Sequence, residues 1–290
     1  MLKKRLIPCL ILRDGFIVQS FEFKRFLPIG KAKIAVEFVV NWDVDEIVLL
    51  DITATRNGAP PDTDLIRLVS DHCFVPLTVG GGIHALSDIR EVMRAGADKV
   101  SINSEALKNP SFIKESSDIF GSQCIVVSVD VRINPKGRYE VVADSGKKYT
   151  GLHPVEWAQR LQELGAGEIF LNSVNRDGSR RGYDLDLVRM VSEAIRIPVI
   201  ACGGVGEMSH LADGIRIGKA SAVSAANIFQ HMEHSTIIAK AYMKNAGIDV
   251  RLNTAAKYGD FEFDERGRLL KKRDSSLEEI WFERSVKENI

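Results

Sequence analysis

Eight short apolar runs, rich in β-branched residues and separated by segments with helical patterning, dominate the sequence. Continuous apolar strands that alternate with helices are typical of a parallel sheet covered by helices. Eight such units are the number that closes a (β/α)8 barrel, the TIM-barrel architecture. A doubly wound open sheet is the alternative, and it is disfavoured because no G-x-G-x-x-G pattern follows the first run. The predicted strands are residues 5–12, 46–52, 75–79, 99–103, 124–130, 168–173, 197–202 and 221–226.

The two halves of the chain repeat one pattern. "VPLTVGGGI" at 75–83 and "IPVIACGGV" at 197–205 agree in character along their length, which indicates a barrel built from two similar halves. In both copies, glycines between a strand and a helix would let backbone N–H groups approach an anion. Two such turns would suit a long substrate with a phosphate at each end, unless the glycines only make tight turns. The candidate phosphate-binding residues are Gly81, Gly82 and Asn103 in the first half and Gly203, Gly204, Ala226 and Asn227 in the second.

Two connections would lie near the mouth of the predicted barrel. The stretch "CLILRDG" at 9–15 is interpreted as the end of the first strand running into a loop. Residues 131–151 alternate in polarity around Pro135 and Gly137, which predicts a hairpin of two strands. That hairpin would serve either as a lid or as a surface decoration.

Composition argues against several classes of protein. The 290 residues include 39 basic and 39 acidic side chains, so no basic field points to nucleic acid. No apolar run approaches the roughly 20 residues that span a bilayer, and the first apolar stretch is too short for a signal peptide. The four cysteines lack CxxC spacing, which suggests neither disulfides nor zinc and fits a reducing cytoplasm. His231 and His234 would supply only two metal ligands, so no metal site is predicted.

A series of short motifs resembles the HisF family, the cyclase subunits of imidazole glycerol phosphate synthase. The resemblance covers residues 1–252 with almost no gaps, and the order of its motifs makes it specific. It implies the barrel fold and no cofactor. The motifs are "DITA" (51–54), "TVGGGI" (78–83), "GADKVSIN" (96–103), "VSVD" (127–130), "SGKKYTG" (145–151), "GAGEI" (165–169), "RDGSRRGYD" (176–184) and "ACGGVG" (201–206).

The resemblance also implies a mechanism and a partner. In this family a glutaminase, HisH, docks on the N-terminal face of the barrel, and its ammonia crosses the barrel core. At the C-terminal face, two aspartates on strands one and five act as general acid and base in a cyclisation. The strand-five acid corresponds to Asp130, but the strand-one acid corresponds to Ile11 and a loop lysine corresponds to Gln19. Because loss of a positioned acid or base costs about 10²- to 10⁴-fold in rate, Asp130 is expected to be a remnant. Asp14, three residues after Ile11, is expected to point elsewhere.

Other family positions are retained. Asp98 corresponds to a residue of the glutaminase interface, and Asp51 and Asp177 are expected at the channel exit or in a remnant substrate site. Four charged residues correspond to a ring that gates ammonia at the bottom of the barrel, where opposite charges can pair in a low-dielectric entrance. A plain salt-bridge cluster is the alternative reading of that ring. The four residues are Arg5, Glu46, Lys99 and Glu168.

This combination, a retained conduit with a broken cyclase pair, resembles a HisF-like subgroup linked to surface polysaccharides. There a HisH-like glutaminase and a sugar amidotransferase are associated with conversion of an acetamido sugar into an acetamidino sugar. The first hypothesis is therefore an ammonia-channelling subunit for that synthesis. A true histidine-pathway cyclase is the second hypothesis, and a non-catalytic scaffold that activates a glutaminase is the third.

Residues 253–290 exceed the usual length of the family and are predicted to form a C-terminal extension. Residues 261–273 alternate and turn at Gly267, as a hairpin would. Residues 275–285 begin with a capping-box pattern and predict a short helix. The apolar side chains of Trp281 and Phe282 would pack either on the barrel or on a partner.

Overall fold

The computed structural model describes residues 3–230, 234–252, 258 and 261–270. Its strands are β1 Arg5–Arg13, β2 Phe16–Phe21, β3 Arg25–Lys31, β4 Ile47–Asp51, β5 Leu77–Gly80, β6 Lys99–Ile102, β7 Ile125–Ile133, β8 Tyr139–Ala143, β9 Lys148–Tyr149, β10 Glu168–Ser173, β11 Val199–Cys202 and β12 Ala222–Ala225. Its helices are α1 Ala32–Asn41, α2 Ile52–Asn57, α3 Thr63–Ser70, α4 Leu86–Arg94, α5 Ser104–Lys108, α6 Ser111–Phe120, α7 Pro154–Glu163, α8 Leu185–Ala194, α9 Met208–Arg216 and α10 Ser235–Asn245. Residues Ser122–Cys124 and Asn227–Gln230 form 3-10 turns.

Eight parallel strands close into a barrel, which confirms the predicted (β/α)8 fold. β1 pairs with β12 on one side and β4 on the other, and β7 pairs with β10. The remaining neighbours follow chain order through β4, β5, β6, β7 and then β10, β11, β12. Helices lie between successive strands, so the carboxyl ends of all eight strands meet at one face of the barrel.

Alternation along each strand separates two apolar regions. On β1, Leu6 and Leu10 belong to the large core between sheet and helices, whereas Ile7, Cys9 and Ile11 belong to the cluster inside the barrel. Successive side chains of a strand point to opposite faces. A closed barrel therefore needs both faces apolar, which explains why the strands read as continuous apolar runs.

The prediction of a loop after the first strand was wrong. β1 turns at Asp14 and Gly15, whose φ angles are 50° and 81°, and β2 returns antiparallel to it, with Arg13 opposite Phe16. β3 then pairs with β2. Both central turn residues have positive φ, as a type I′ turn requires, and an Asp-Gly pair between apolar residues is the sequence signal for such a hairpin.

Residues 131–151 form a hairpin as predicted, but its first strand is the end of the barrel strand β7 and not a separate strand. β7 itself continues to Ile133 and pairs with β8, so that Val131 lies opposite Val141. The turn between them is closed by a bond from the Asn134 N–H to the Arg138 carbonyl at 2.8 Å. β9 adds a third, short strand beside β8. The barrel strand and the hairpin strand are thus one continuous element.

Part of the C-terminal extension packs on the barrel. Residues 261–270 make a tight turn in which the Asp264 N–H donates to the Arg268 carbonyl at 2.9 Å. Phe263 contacts Tyr242 of α10 with ring centroids 5.5 Å apart. Gly267, at the predicted turn position, has a φ of 74° and lies against Met208 of α9. The predicted helix at 275–285, with Trp281 and Phe282, lies outside the described residues.

Candidate functional site

A cavity of about 170 Å³ opens at the carboxyl ends of the barrel strands. One part of its wall is apolar and includes Ile11, Leu50 and Phe170, and another part carries Asp130 and Asn172. The two repeated glycine turns and the β2–β3 hairpin contribute to its lining. Residues from the hairpin and the strand-end turns are Ser20, Phe23, Phe26, Gly81, Gly82, Gly203 and Gly204.

Asp130 lies in this cavity between two neutral amides. The side-chain NH2 of Asn103 donates to its Oδ2 at 2.7 Å, and that of Asn172 donates to its Oδ1 at 3.1 Å. Burial raises the pKa of the Asp130 carboxyl above its ordinary value, and the bonds from Asn172 and Asn103 offset part of that rise. No cation pairs with Asp130 among the salt bridges of the described residues. This carboxyl can therefore hold or release a proton, but it needs a second group for paired acid–base chemistry.

Ile11, where the resemblance predicts loss of the second acid, points into the barrel. It is 8% exposed and belongs to the interior cluster with Cys9 and Phe170. Asp14 does not replace it, because Asp14 is exposed at the turn and contacts Arg13 and Arg56 at 3.4 and 3.6 Å. The described part of the cavity wall thus offers an aliphatic side chain where a proton-transfer group is expected.

Gln19, at the position of the family lysine, is buried outside the cavity lining. It is 2% exposed, and its side-chain amide lies 3.5 Å from the Asn227 carbonyl. The side-chain NH2 of Asn227 donates to the Ser20 carbonyl at 2.9 Å, and the Ser20 N–H donates back to Asn227 Oδ1 at 3.3 Å. Gln19 and Asn227 therefore join the hairpin to the 3-10 turn that follows β12.

Asp51 and Asp177 line the cavity, yet both carboxylates serve local structure. Asp51 caps α2 by accepting from the N–H groups of Thr53 and Ala54 at 2.8 and 3.2 Å. Asp177 Oδ2 accepts from the Ser20 hydroxyl at 2.6 Å and the Phe23 N–H at 3.2 Å. Burial raises the pKa of each carboxyl above its ordinary value. Their predicted place at the channel exit stays a prediction.

The two glycine turns occupy equivalent places in the two halves. Gly81 has a φ of 110°, and a Cβ there would lie 2.1 Å from the Asp51 carbonyl oxygen. Gly204 has a φ of 105°, and its Cβ would lie 2.2 Å from the Gly182 carbonyl oxygen. Packing against a neighbouring loop is therefore sufficient to require glycine at both positions. Anion binding by these turns stays a prediction.

The remaining predicted anion ligands divide between the two halves. Asn103 directs its side chain to Asp130, and Ala226 lines the cavity next to Asn227. The Gly82 N–H lies 3.3 Å from the Thr55 hydroxyl oxygen. A phosphate at this turn would have to compete with that weak bond.

Four predicted gate residues meet at the opposite, N-terminal end of the barrel. Arg5 Nη1 lies 2.7 Å from Glu46 and 3.0 Å from Glu168, and Lys99 Nζ lies 3.0 and 3.4 Å from the same two carboxylates. The charges alternate around a closed ring, so each cation contacts both anions. Burial acts to lower the pKa of Arg5, but Glu168 and Glu46 outweigh it and the pKa rises. The Thr78 hydroxyl donates a hydrogen bond to Glu46 at 2.8 Å.

Between the ring and the cavity, the barrel interior is mostly apolar. Ser101 and Ser128 share a hydrogen bond of 2.7 Å and also line the cavity. They are the polar groups between Thr78 and Asp130 on that side. The apolar side chains of this layer are Ile7, Val48, Val126, Ile200 and Ala222.

Cys9 and Cys202 contact each other inside the barrel and both line the cavity. Their hydrogen bond and burial together raise the pKa of the Cys9 thiol well above its ordinary value. A neutral, buried thiol behaves as a small apolar side chain. This pair therefore adds to the apolar wall around Ile11.

Asp98 lies exposed on the N-terminal face, and its local contacts are structural. Its Oδ2 accepts from the Leu77 N–H at 2.8 Å. Asp45 makes the equivalent contact to the Leu6 N–H at 2.8 Å. A role for Asp98 in a partner interface stays a prediction.

Sequence reasoning missed Asn172 and Ser20. Counting along β10 in steps of two from Glu168 places Phe170 and Asn172 inside the barrel, so alternation could have identified Asn172. Ser20 gave no local signal, because its bond to Asp177 joins residues far apart in the chain. Within the described residues, no cluster of three or more metal-ligating side chains occurs, and no helix has the length and apolar character to cross a membrane.

Comparison with known proteins agrees with this geometry. The family model described as "Histidine biosynthesis protein" matches residues 5–235. Among curated proteins, the chain is 52% identical over 268 residues to "Putative imidazole glycerol phosphate synthase subunit hisF2" of Vibrio vulnificus (strain YJ016). That alignment covers 92% of this chain and 98% of the relative.

Proposed function

This chain belongs to the histidine biosynthesis protein family, in its HisF branch, and from that premise we propose that it conducts ammonia without catalysing cyclisation. In this proposal a HisH-like glutaminase binds the N-terminal face and releases ammonia at the ring of Arg5, Glu46, Lys99 and Glu168. The barrel delivers ammonia to the cavity beside Asp130, where a sugar amidotransferase receives it. The product would be an acetamidino sugar for surface polysaccharide.

The observation that carries the proposal is the contrast between the two ends of the barrel. At the N-terminal end, all four charged side chains are present and paired. At the C-terminal end, Ile11 stands in the apolar wall, and the other carboxylates of the lining, Asp51 and Asp177, are engaged in local contacts. A chain that needed cyclase chemistry would require a proton-transfer group at that wall.

The interior between the two ends suits neutral ammonia better than ammonium. Its layer of aliphatic side chains offers no counter-charge, and a bare cation is costly in such surroundings. The hydroxyls of Thr78, Ser101 and Ser128 supply hydrogen-bonding positions along one side. Passage would still require a side-chain movement at the ring, because its ion pairs close on one another.

The present contacts of the nearby carboxylates favour this proposal over the alternative of a histidine-pathway cyclase. Asp51 caps a helix, Asp177 holds the hairpin, and Asp14 is exposed outside the cavity wall. Each would have to abandon its present contacts to act beside Asp130. The acceptor sugar itself is proposed from the subgroup resemblance, and no contact in the cavity specifies it.

A stoichiometry experiment tests the conduit. The chain, a HisH-like glutaminase and the sugar amidotransferase would be combined, and glutamate formed would be compared with amidinated sugar formed. Wild type should give a ratio near one. Lys99→Ala leaves Glu46 and Glu168 with one cation, so we expect glutamate formation to continue while less sugar is amidinated.

Lys108→Ala provides the matched control, because Lys108 is an exposed lysine at the end of α5. A folded Lys99→Ala protein that kept the ratio near one would contradict the gate. The ring would then be a structural salt-bridge cluster, and the result would support the hypothesis of a non-catalytic scaffold that activates a glutaminase.

A second assay addresses cyclisation directly. With ammonia supplied in solution, wild type should turn over the histidine-pathway cyclase substrate at least about 10²-fold more slowly than a family member with both acids. Rates within about tenfold, equivalent to roughly 1.4 kcal/mol, would restore the cyclase hypothesis. Complementation of a cyclase-deficient strain provides the same comparison in cells.

A further inference from the structure

An exposed apolar strip runs from the β2–β3 hairpin onto the outer face of α1. On β3, Leu27 is 54% exposed and Ile29 is 44% exposed. On α1, Ile34 and Phe38 are each 53% exposed, and their i, i+4 spacing places them on one helix face. α1 follows β3 directly in the chain, so the exposed side chains lie on neighbouring elements. We define the apolar strip as these four residues.

The apolar strip is flanked by cations. Residues 22–38, which bracket the apolar strip, contain four basic side chains and two acidic ones, Glu22 and the exposed Glu37, so basic groups predominate although the whole chain is neutral. Lys24 pairs with Glu22 at 2.9 Å, whereas Arg25, Lys31 and Lys33 form no salt bridge with any described residue. Contiguous exposed apolar surface with a charged rim is typical of a protein-binding site. The rim predicts a partner whose contact face carries acidic groups.

Two other occupants fit these observations less well. A second copy packed by two-fold symmetry would bring the same cations together, which is unfavourable. An anionic membrane would have to take up β3, which pairs with β2 alone and exposes backbone polar groups at its outer edge. Addition of a partner strand is also hindered, because Pro28 removes a donor from that edge. The mode of binding that fits best is contact between the side chains of the apolar strip and those of a partner protein.

The position of the apolar strip relates it to the cavity. Phe23 and Phe26 of the same hairpin line the cavity wall, and Arg13 stacks on the Phe26 ring at 4.6 Å. The apolar strip therefore begins on the same hairpin that lines the cavity, where a protein that consumes ammonia would have to sit. We propose that the apolar strip with its basic rim docks the ammonia-consuming sugar amidotransferase through an apolar patch bordered by acidic residues. This inference rests on the proposed function.

A binding experiment with purified proteins tests this docking. The full chain would be titrated with purified sugar amidotransferase, and the Kd would be measured for wild type and for Ile34→Ser/Phe38→Ser. We expect at least tenfold weaker binding for the variant, since exposed aromatic and aliphatic anchors dominate such contacts. Lys31→Glu/Lys33→Glu should weaken binding as well and reduce its dependence on salt.

Ile119→Ser is the matched control, because Ile119 is 54% exposed on α6, away from the hairpin. It should leave the Kd unchanged, and binding of the HisH-like glutaminase should be equal for all variants. A Kd within twofold of wild type for Ile34→Ser/Phe38→Ser would overturn the proposal. Self-association of the chain, or binding to phosphatidylglycerol vesicles, that is abolished by the same variant would overturn it too.

The outcome separates this inference from the proposed function. Glutamine-dependent amidination that persists undiminished in the Ile34→Ser/Phe38→Ser variant would refute the docking site alone. If wild type bound the amidotransferase through the apolar strip but supported no glutamine-dependent amidination, the proposed function would fail and the docking site would stand.

Discussion

The carboxyl of Asp130 and the aliphatic side chain of Ile11 face one cavity and differ in what they can do there. Asp130 accepts two amide hydrogen bonds and holds a raised pKa because of burial. Ile11 completes an apolar wall with Cys9 and Phe170. At the scale of single residues, Ile11 supplies apolar packing but cannot transfer a proton, so it cannot act with Asp130 as an acid–base pair.

Asp130→Asn should change how stability depends on pH. The folded-state pKa of Asp130 lies above its unfolded value, so the folded protein binds its proton more tightly than the unfolded chain does. Wild type should therefore lose stability relative to the variant as pH rises from about 4 through the folded-state pKa. Asp51 and Asp177 also have raised pKa values, but they occur in both proteins and largely cancel in the difference.

Thermal unfolding of wild type and Asp130→Asn from about pH 4 to pH 8 measures this difference. The variant must reorient one neighbouring amide, which adds an offset that does not vary with pH. A difference in Tm that stays constant across the range would contradict the raised pKa.

At the scale of elements, the β2–β3 hairpin is held over the barrel by side chains from distant turns. The Ser20 hydroxyl and the Phe23 N–H both bind Asp177, and the Asn227 amide binds the Ser20 backbone. Burial of the Asp177 carboxylate is tolerated because these donors satisfy it. The hairpin therefore depends on contacts with the segments that follow β10 and β12 as well as on its own pairing.

Ser20→Ala should loosen the hairpin without unfolding the barrel. It leaves the buried Asp177 carboxylate with one fewer donor, at a cost of about 1–3 kcal/mol. Hydrogen exchange should become faster for the amides of residues 16–31 and stay unchanged in β10 and β11. Ser111→Ala, which removes an exposed hydroxyl on α6 outside the hairpin, is the control. Equal acceleration in the barrel strands would show that the effect is global.

At the scale of the whole molecule, the first and last elements must meet for the barrel to close. Lys240 of α10 is fully buried, and its Nζ lies 2.9 Å from Asp45, whose carboxylate also accepts from the Leu6 N–H of β1. Near the same end, the Lys4 N–H donates to the Asp249 carbonyl at 2.9 Å. These contacts join the first and last described parts of the barrel, and Lys240 and Asp45 are 195 positions apart in the sequence.

Lys240→Met should be strongly destabilising. It keeps the buried volume but leaves Asp45 without its closest cation, a change that costs about 3–5 kcal/mol for a buried pair. For a protein of this size we expect Tm to fall by roughly 5–15 °C. Lys244→Met, at an exposed position of the same helix, should shift Tm by about 1 °C or less. A comparable shift in both variants would argue against this closing contact.

Periodicity determined much of this protein by itself. Eight apolar runs predicted the barrel, and the repeated glycine blocks placed equivalent turns in its two halves. The resemblance also grouped the four ring residues, which pair in the structure, and predicted the loss of an acid at Ile11. These features could be predicted because strand alternation and strict motif order are local properties of the sequence. The turn between β1 and β2 was also encoded locally, by Asp14 and Gly15, although the stretch reads as a loop when that turn signal is overlooked.

Only the tertiary structure decided what the polar side chains contact. Asn103, predicted as an anion ligand, binds Asp130, and Asp177, predicted at the channel exit, anchors Ser20. Gly81 is required by the nearby Asp51 carbonyl whether or not an anion binds. Each of these partners lies on another strand, and hydrogen bonds and steric contacts depend on distances of a few ångströms that no single segment specifies. Closure of the barrel brings those segments together, and their partners exist only once it has closed.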